Sequence, residues 1–235
     1  MRINKYISES GKTSRRGADK LIADGKITIN GKRATLGCNV EPGDDVRIGG
    51  NPIRLVSNKV YIALNKPVGI TSTTEKNVKG NIVDFVNHPL RIFHIGRLDK
   101  DSEGLILLTN DGDIVNEILR SEYRHEKEYI VSVNKPITTQ FLKKMSEGVK
   151  ILDTKTLPCR TSQLSKYDFK IILTQGLNRQ IRRMCAELGY EVKRLQRIRI
   201  MNIHLGDLPS GKWRDLSKKE QTQLFKELNY RPKEW

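Results

Sequence analysis

The apolar residues change spacing repeatedly along the chain, and each change marks an element. Ile3, Tyr6 and Ile7 recur at helical intervals, so the spacing predicts a helix over 2–10 that Gly11 closes. Ser14 then caps a second helix that turns Ala18, Leu21 and Ile22 toward the first, and Gly25 ends it. Residues 26–29 alternate like a strand. Asn30-Gly31 is a two-residue hairpin turn, and Pro42-Gly43-Asp44 turns the chain into a short strand over 46–48. Gly49-Gly50-Asn51-Pro52 and the polar residues up to Lys59 read as a linker. The pattern predicts a small domain over 1–48, a linker over 49–59 and a larger domain over 60–235.

In the larger domain, residues 60–64 form a strand that delivers Asn65-Lys66-Pro67-Val68-Gly69. Residues 70–80 are polar and flanked by glycine, which suits a mobile loop, and a short helix follows over 81–86. Residues 91–95 alternate like a strand. Leu105-Ile106-Leu107-Leu108 is too short for a helix and is bounded by turn residues, so it reads as a buried strand. Asn110 or Asp111 caps a helix carrying Ile114, Val115, Ile118 and Leu119. Strands follow over 127–133 and 169–174. Asn178 is placed to cap a helix with Ile181, Met184, Cys185 and Leu188 on its apolar face and Arg179, Arg182 and Arg183 opposite. Residues 190–205 alternate charged and apolar, which predicts a ribbon with one core face and one basic wall of Lys193, Arg194, Arg197 and Arg199. Ser217 caps a last helix through Leu228.

Composition narrows the partner. The chain has 235 residues, 37% of them hydrophobic, so a packed core is within reach and bulk disorder is excluded. A formal net charge of +16 calls for a polyanion: RNA, DNA or an anionic membrane. No apolar run approaches the roughly 20 residues of a membrane span, and the N-terminus lacks a signal-peptide pattern. Cys38, Cys159 and Cys185 lie far apart, which points to a reducing, cytoplasmic setting. His88, His94, His125 and His204 have no metal-ligand spacing, so neither metal nor cofactor is expected. Residues 1–58 hold eleven Lys or Arg against six Asp or Glu, with Lys12, Arg15, Arg16, Lys20 and Lys26 clustered where the helices meet the first strand.

The densest chemistry lies at Gly96-Arg97-Leu98-Asp99 and, after a charged stretch, Gly104-Leu105-Ile106-Leu107-Leu108-Thr109-Asn110-Asp111-Gly112. Asp99 sits in a loop whose downstream end is a core strand, which suits a carboxylate held beside a substrate. Read alone it is a solvated loop charge. A calcium loop fits Asp99, Asp101, Glu103 and Gly104, but Asn110 stands where the bidentate Glu belongs, and a strand precedes the loop. Gly11-Lys12-Thr13 likewise fails as a phosphate loop, because Tyr6 takes the place of its first glycine.

These motifs together resemble the S4-domain pseudouridine synthases that modify ribosomal RNA. The resemblance implies an α+β fold: an S4 module, an αα-hairpin with short β-strands, ahead of a mixed, mainly antiparallel β-sheet domain with flanking helices. It makes Asp99 the catalytic carboxylate. Lys-Glu-Tyr at 127–129 resembles the context of the family's active-site tyrosine, which falls on Tyr129. Gly-Leu-Asn-Arg-Gln-Ile-Arg-Arg-Met at 176–184 resembles the motif whose arginine pairs with the catalytic Asp, here Arg182. Lys66-Pro67-Val68-Gly69 resembles a structural loop beside the site. By the same resemblance Lys12, Arg15, Arg16 and Lys26 grip RNA phosphates, and Lys66, Arg179 and Arg183 join them. Arg97 is placed either to fill the space a flipped base vacates or to clamp a phosphate. The implied reaction breaks the bond between uracil N1 and the sugar, turns the base and rejoins it through C5, with no cofactor and in a monomer. The implied substrate is a uridine of 23S ribosomal RNA, with a tRNA-directed synthase as the alternative. A non-catalytic RNA-binding protein would fit composition equally well. It would have no use for Asp99, Tyr129 and Arg182 in three separate motifs.

Overall fold

The computed structural model describes residues 1–120 and 125–232. The N-terminal unit contains α1 (Ile3–Glu9), α2 (Arg15–Ala23) and four short strands: β1 (Ile27–Ile29), β2 (Lys32–Arg33), β3 (Val46–Ile48) and β4 (Asn51–Pro52). Ser14 accepts the Gly17 N–H at 3.0 Å and so caps α2. Gly17 has a packing reason, since an added Cβ would lie 2.1 Å from the Thr13 hydroxyl. Ile3, Ile7, Ala18, Ile22, Ile27 and Val46 close a small core between the helices and the sheet. The sheet runs in the order β2-β1-β3-β4.

The sequence reads residues 49–59 as a linker, and here the structure differs. Gly49 and Gly50 both take positive φ, so they make a tight hairpin turn, and Asn51–Pro52 pair with β3. Ile53 is buried in the small core. The following residues also return to α1, where Val56 N–H donates to the Glu9 carbonyl at 3.2 Å and Lys59 reaches the Glu9 carboxylate at 3.4 Å. From α1, Lys5 crosses to Asp113 of the larger unit at 2.6 Å.

Among its described residues the larger unit has eleven strands: β5 (Tyr61–Lys66), β6 (Phe93–Ile95), β7 (Glu103–Thr109), β8 (Lys127–Val133), β9 (Lys150–Ile151), β10 (Thr154–Lys155), β11 (Arg160–Gln163), β12 (Asp168–Leu173), β13 (Val192–Ile200), β14 (Ile203–His204) and β15 (Trp213–Asp215). Its helices are α3 (Ile82–Val86), α4 (Gly112–Leu119), α5 (Thr139–Glu147), α6 (Gln180–Glu187) and α7 (Lys218–Glu227). A nine-stranded sheet follows the order β11-β12-β8-β13-β7-β5-β15, with β14 added to β13 and β6 to β7. Its pairings are antiparallel except that of β7 with β13. Both faces are covered, which explains the near-continuous apolar runs of β5 and β7. Ile62, Leu64, Ile106 and Leu108 enter one core, while Tyr61, Ala63, Leu105 and Leu107 enter the other. No helix among the described residues is long and apolar enough to cross a membrane.

Candidate active site

The large sheet parts near its middle. β7 and β13 share two register pairs, Glu103 with Gln196 and Gly104 with Arg197. Beyond them β7 takes β6 as its neighbour on that side, and β13 takes β14. The parallel join needs a glycine: Gly104 has φ +103°, and an added Cβ would lie 2.3 Å from the Arg197 carbonyl oxygen. Where the strands diverge, a cleft of about 540 Å³ opens. Arg97 and Asp99 line it from the β6–β7 loop, Lys127 and Tyr129 from β8, Arg197 from β13, and Arg179 from the turn before α6.

The loop carrying Asp99 is fixed on both sides of it. Ser72, 4% exposed, donates its hydroxyl to the Leu98 carbonyl at 2.7 Å and accepts the Leu98 N–H at 3.2 Å. Gly69 N–H donates to the Lys100 carbonyl at 2.8 Å, and Ser102 N–H to the Asp99 carbonyl at 3.1 Å. The backbone is therefore held while the Asp99 side chain stays 35% exposed to the cleft. That combination gives a carboxylate a fixed position and an open face toward a reactant.

Three arginines surround the loop differently. Arg179 takes a left-handed conformation at φ 49° and forms a two-pronged bridge to Asp101 at 3.0 and 2.8 Å. It also stands 3.8 Å from Asp99. The Arg179 hydrogen bond holds the Asp101 carboxyl below the usual carboxylate range, with Arg182 adding to the effect. Arg182 donates to the Asp101 carbonyl at 2.9 Å, the Ser102 hydroxyl at 3.2 Å and the Val192 carbonyl at 3.3 Å. Arg197 is 4% exposed and donates through Nε to the Leu105 carbonyl at 2.7 Å and through Nη1 to the Arg97 carbonyl at 3.4 Å. Its guanidinium carbon lies 6.0 Å from the ring centre of Tyr129, its cross-strand partner. Tyr129 itself is 9% exposed. The cleft thus combines an open carboxylate, an aromatic ring and several cations.

A model of the RNA pseudouridylate synthase family matches residues 60–187, and a model of the S4 domain matches residues 1–46. The dual-specificity RNA pseudouridine synthase RluF of Escherichia coli K12 is 58% identical to the chain over 228 residues, covering 96% of this chain and 79% of that protein. The chain belongs to the S4-domain RNA pseudouridine synthases. Ribosomal large subunit pseudouridine synthase B of Bacillus subtilis is 36% identical to the synthase, covering 95% of each chain. A crystal structure of a pseudouridylate synthase matches the fold with a TM-score of 0.71 at 28% identity, covering 95% of this chain and 99% of that one.

In the synthase Asp99 and Tyr129 line one cleft, and Arg179, expected among the RNA-binding residues, lines it where Arg182 was expected. The expected pairing of Arg182 with Asp99 is corrected. Arg182 supports the backbone at 101–102, and its ion pair is with Asp101 at 3.5 Å. The cause lies at the start of α6. Asn178 does not cap it; Arg179 occupies the cap position without a side-chain bond, and buried Gln180 shapes the turn by accepting the Leu177 N–H at 3.0 Å. That left-handed turn brings Arg179, one residue before the helix, onto the acidic loop.

Lys66 is also corrected. It is fully buried, donates to the Pro67 and Ile70 carbonyls at 2.9 Å each, and is pushed by burial down to about 8. It pins the turn beneath the loop and offers no charge to a phosphate. Arg197 leaves the predicted basic wall because it keeps regular register with Leu195 and pairs across with Tyr129, while the bulge that follows it separates it from Arg199. Its parity with Leu195, two positions earlier, was the signal available in the sequence. Residues 70–80 are not simply a mobile loop, since Thr71 bridges Asn81 and Ser72 clips Leu98. Arg97 and Arg183 have exposed side chains, and Arg183 bonds Asn178 at 3.1 and 3.2 Å. Lys12, Arg15, Arg16 and Lys26 are exposed, and among the described residues none of them enters an ion pair. No group of three His, Cys, Asp or Glu among the described residues could hold a metal.

Proposed function

We propose that the synthase isomerises a uridine of large-subunit ribosomal RNA, with Asp99 as the essential carboxylate. The observation that carries this reading is the pinned but open Asp99 sharing a cleft with Tyr129. The target base leaves its stack, which costs a few kcal/mol, and the Tyr129 ring offsets part of that cost. Arg179 and Arg182 hold the acidic loop, while Arg97 meets the RNA at the cleft mouth. Lys12, Arg15, Arg16 and Lys26 supply sequence-independent grip on phosphates, and Arg183 adds to it. The large-subunit assignment is supported by the likeness to the large-subunit synthase of Bacillus subtilis. The dual-specificity name of the Escherichia coli relative supports a second RNA target, for which tRNA is the candidate. The synthase works as a cytoplasmic monomer.

Mapping pseudouridines in RNA from a strain lacking the protein tests the reading. Loss of one ribosomal pseudouridine, restored by the wild-type gene and not by Asp99→Ala, is expected. An unchanged ribosomal map with a lost tRNA pseudouridine would move the substrate to tRNA.

A further inference from the structure

Arg197 has more donors than the fold uses. Nε serves the Leu105 carbonyl and Nη1 the Arg97 carbonyl, but Nη2 is buried with no acceptor among the described residues. A buried donor left unpaired costs about 1 to 3 kcal/mol, so its survival in a cleft wall calls for an acceptor that arrives with the substrate. The same wall carries Lys127, two residues before Tyr129 on β8 and therefore on the same face of the strand. Among the described residues its ammonium makes one long hydrogen bond, 3.4 Å to the His125 carbonyl. Burial and the nearby Arg197 push Lys127 down to about 8. Two cations thus stand on the Tyr129 side of the cleft, while the carboxylate Asp99 stands on the loop side.

The geometry points to Arg197, assisted by Lys127, as the group that stabilises the negative charge on uracil while it is detached from the sugar. This inference rests on the synthase reading above. When the N1–C1′ bond breaks, its electron pair stays with the base and spreads over N1, O2 and O4. The base then bonds to C1′ through C5, the C5 proton is lost, and N1 takes up a proton, so no atom is gained or lost overall. Fixed donors in a dry site act most strongly where charge develops, and removing one such donor typically slows a reaction by about 10² to 10³. Arg197 fits that role better than a phosphate clamp, because its free N–H is buried beside the ring that faces the base.

The test compares single-turnover loss of the N1-linked nucleoside in two RNAs, one carrying uridine and one carrying 5-fluorouridine at the target. Fluorine withdraws electrons and makes the base a better leaving group, so it depends less on outside stabilisation. Arg197→Met should slow the uridine RNA by about 10² or more and the fluorinated RNA at least about tenfold less. Lys127→Met, which leaves the Leu105 carbonyl paired, should show the same pattern more weakly, and Arg197→Lys should recover part of the uridine rate. Melting temperature is read alongside, and a variant that fails to fold passes the question to Lys127→Met. Equal slowing of both RNAs by every folded variant would overturn the assignment. A wild-type protein that converts neither RNA would instead fault the synthase reading.

Discussion

Ser72 holds the backbone of Leu98 from both sides, so its hydroxyl does for the Asp99 loop what a neighbouring strand would do. Ser72→Ala should cost about 1 to 3 kcal/mol, because two buried polar groups lose their partner. Urea denaturation measures that cost. The rate at saturating RNA should fall as well, since a loosened carboxylate misses its productive position. A loss of stability with an unchanged rate would mean that Leu98 is not what positions Asp99. Lys66 makes a prediction of a different sign. Its ammonium is held near 8 in the fold against an ordinary 10.5. Between those pH values the unfolded chain binds the extra proton, so Lys66 makes stability rise with pH there. Lys66→Met should flatten the rise between pH 8 and pH 10 while removing the donor to Pro67 and Ile70. An equally steep rise in the variant would contradict the buried, strained ammonium. At this scale the sequence disclosed Asp99 and Tyr129 through their motifs. It did not disclose Ser72, because a lone serine in a polar loop carries no pattern.

The elements that make the cleft were legible one by one, and their junction was not. β5, β7, β8 and β13 each announce themselves by apolar runs or alternation. The parallel contact of β7 with β13 joins residues about ninety apart, and no local spacing encodes that. The bulge after Arg197 also breaks its alternation with Arg199, so the two arginines do not share one wall. Gly104 is the one local trace of the junction. Gly104→Ala should destabilise the synthase by about 3 kcal/mol, from a Cβ pressed into the Arg197 backbone and from a residue forced to positive φ. Activity should fall further than stability accounts for, because the same shift moves the Arg197 side chain. A stable, fully active Gly104→Ala protein would mean that the junction tolerates separation. The start of α6 was misread for a related reason. Asn178 looks like a cap, yet Gln180 satisfies the turn from within the helix.

At the scale of the whole molecule, charge divides the labour. The basic cluster of the N-terminal unit is exposed, whereas Lys127 and Arg197 of the cleft are half-buried and buried, so the cluster suits long-range attraction of RNA. Each phosphate contact contributes roughly −0.7 to −0.9 to the slope of log affinity against log salt. Replacing Arg15 and Arg16 by Ala should flatten that slope by about one to two units. It should raise the RNA concentration for half-maximal rate and leave the saturated single-turnover rate near wild type. A large loss of saturated rate with an unchanged slope would give the N-terminal unit a positioning role. The Lys5–Asp113 bridge makes such a role physically available. The two-unit organisation was readable from the break in pattern near residue 50. The hairpin return at Gly49-Gly50 was not, because adjacent glycines suit a linker and a tight turn alike.

Catalysis in the synthase is assigned to one carboxylate. Asp99→Asn keeps the size of the side chain and its place between Leu98 and Lys100 while removing the charge. Tritium release from RNA labelled at uracil C5, followed in a single turnover at saturating RNA, reads the isomerisation itself. Release should vanish in Asp99→Asn, with RNA affinity and melting temperature near wild type. Appreciable release by the folded variant would show that Asp99 does not carry the chemistry.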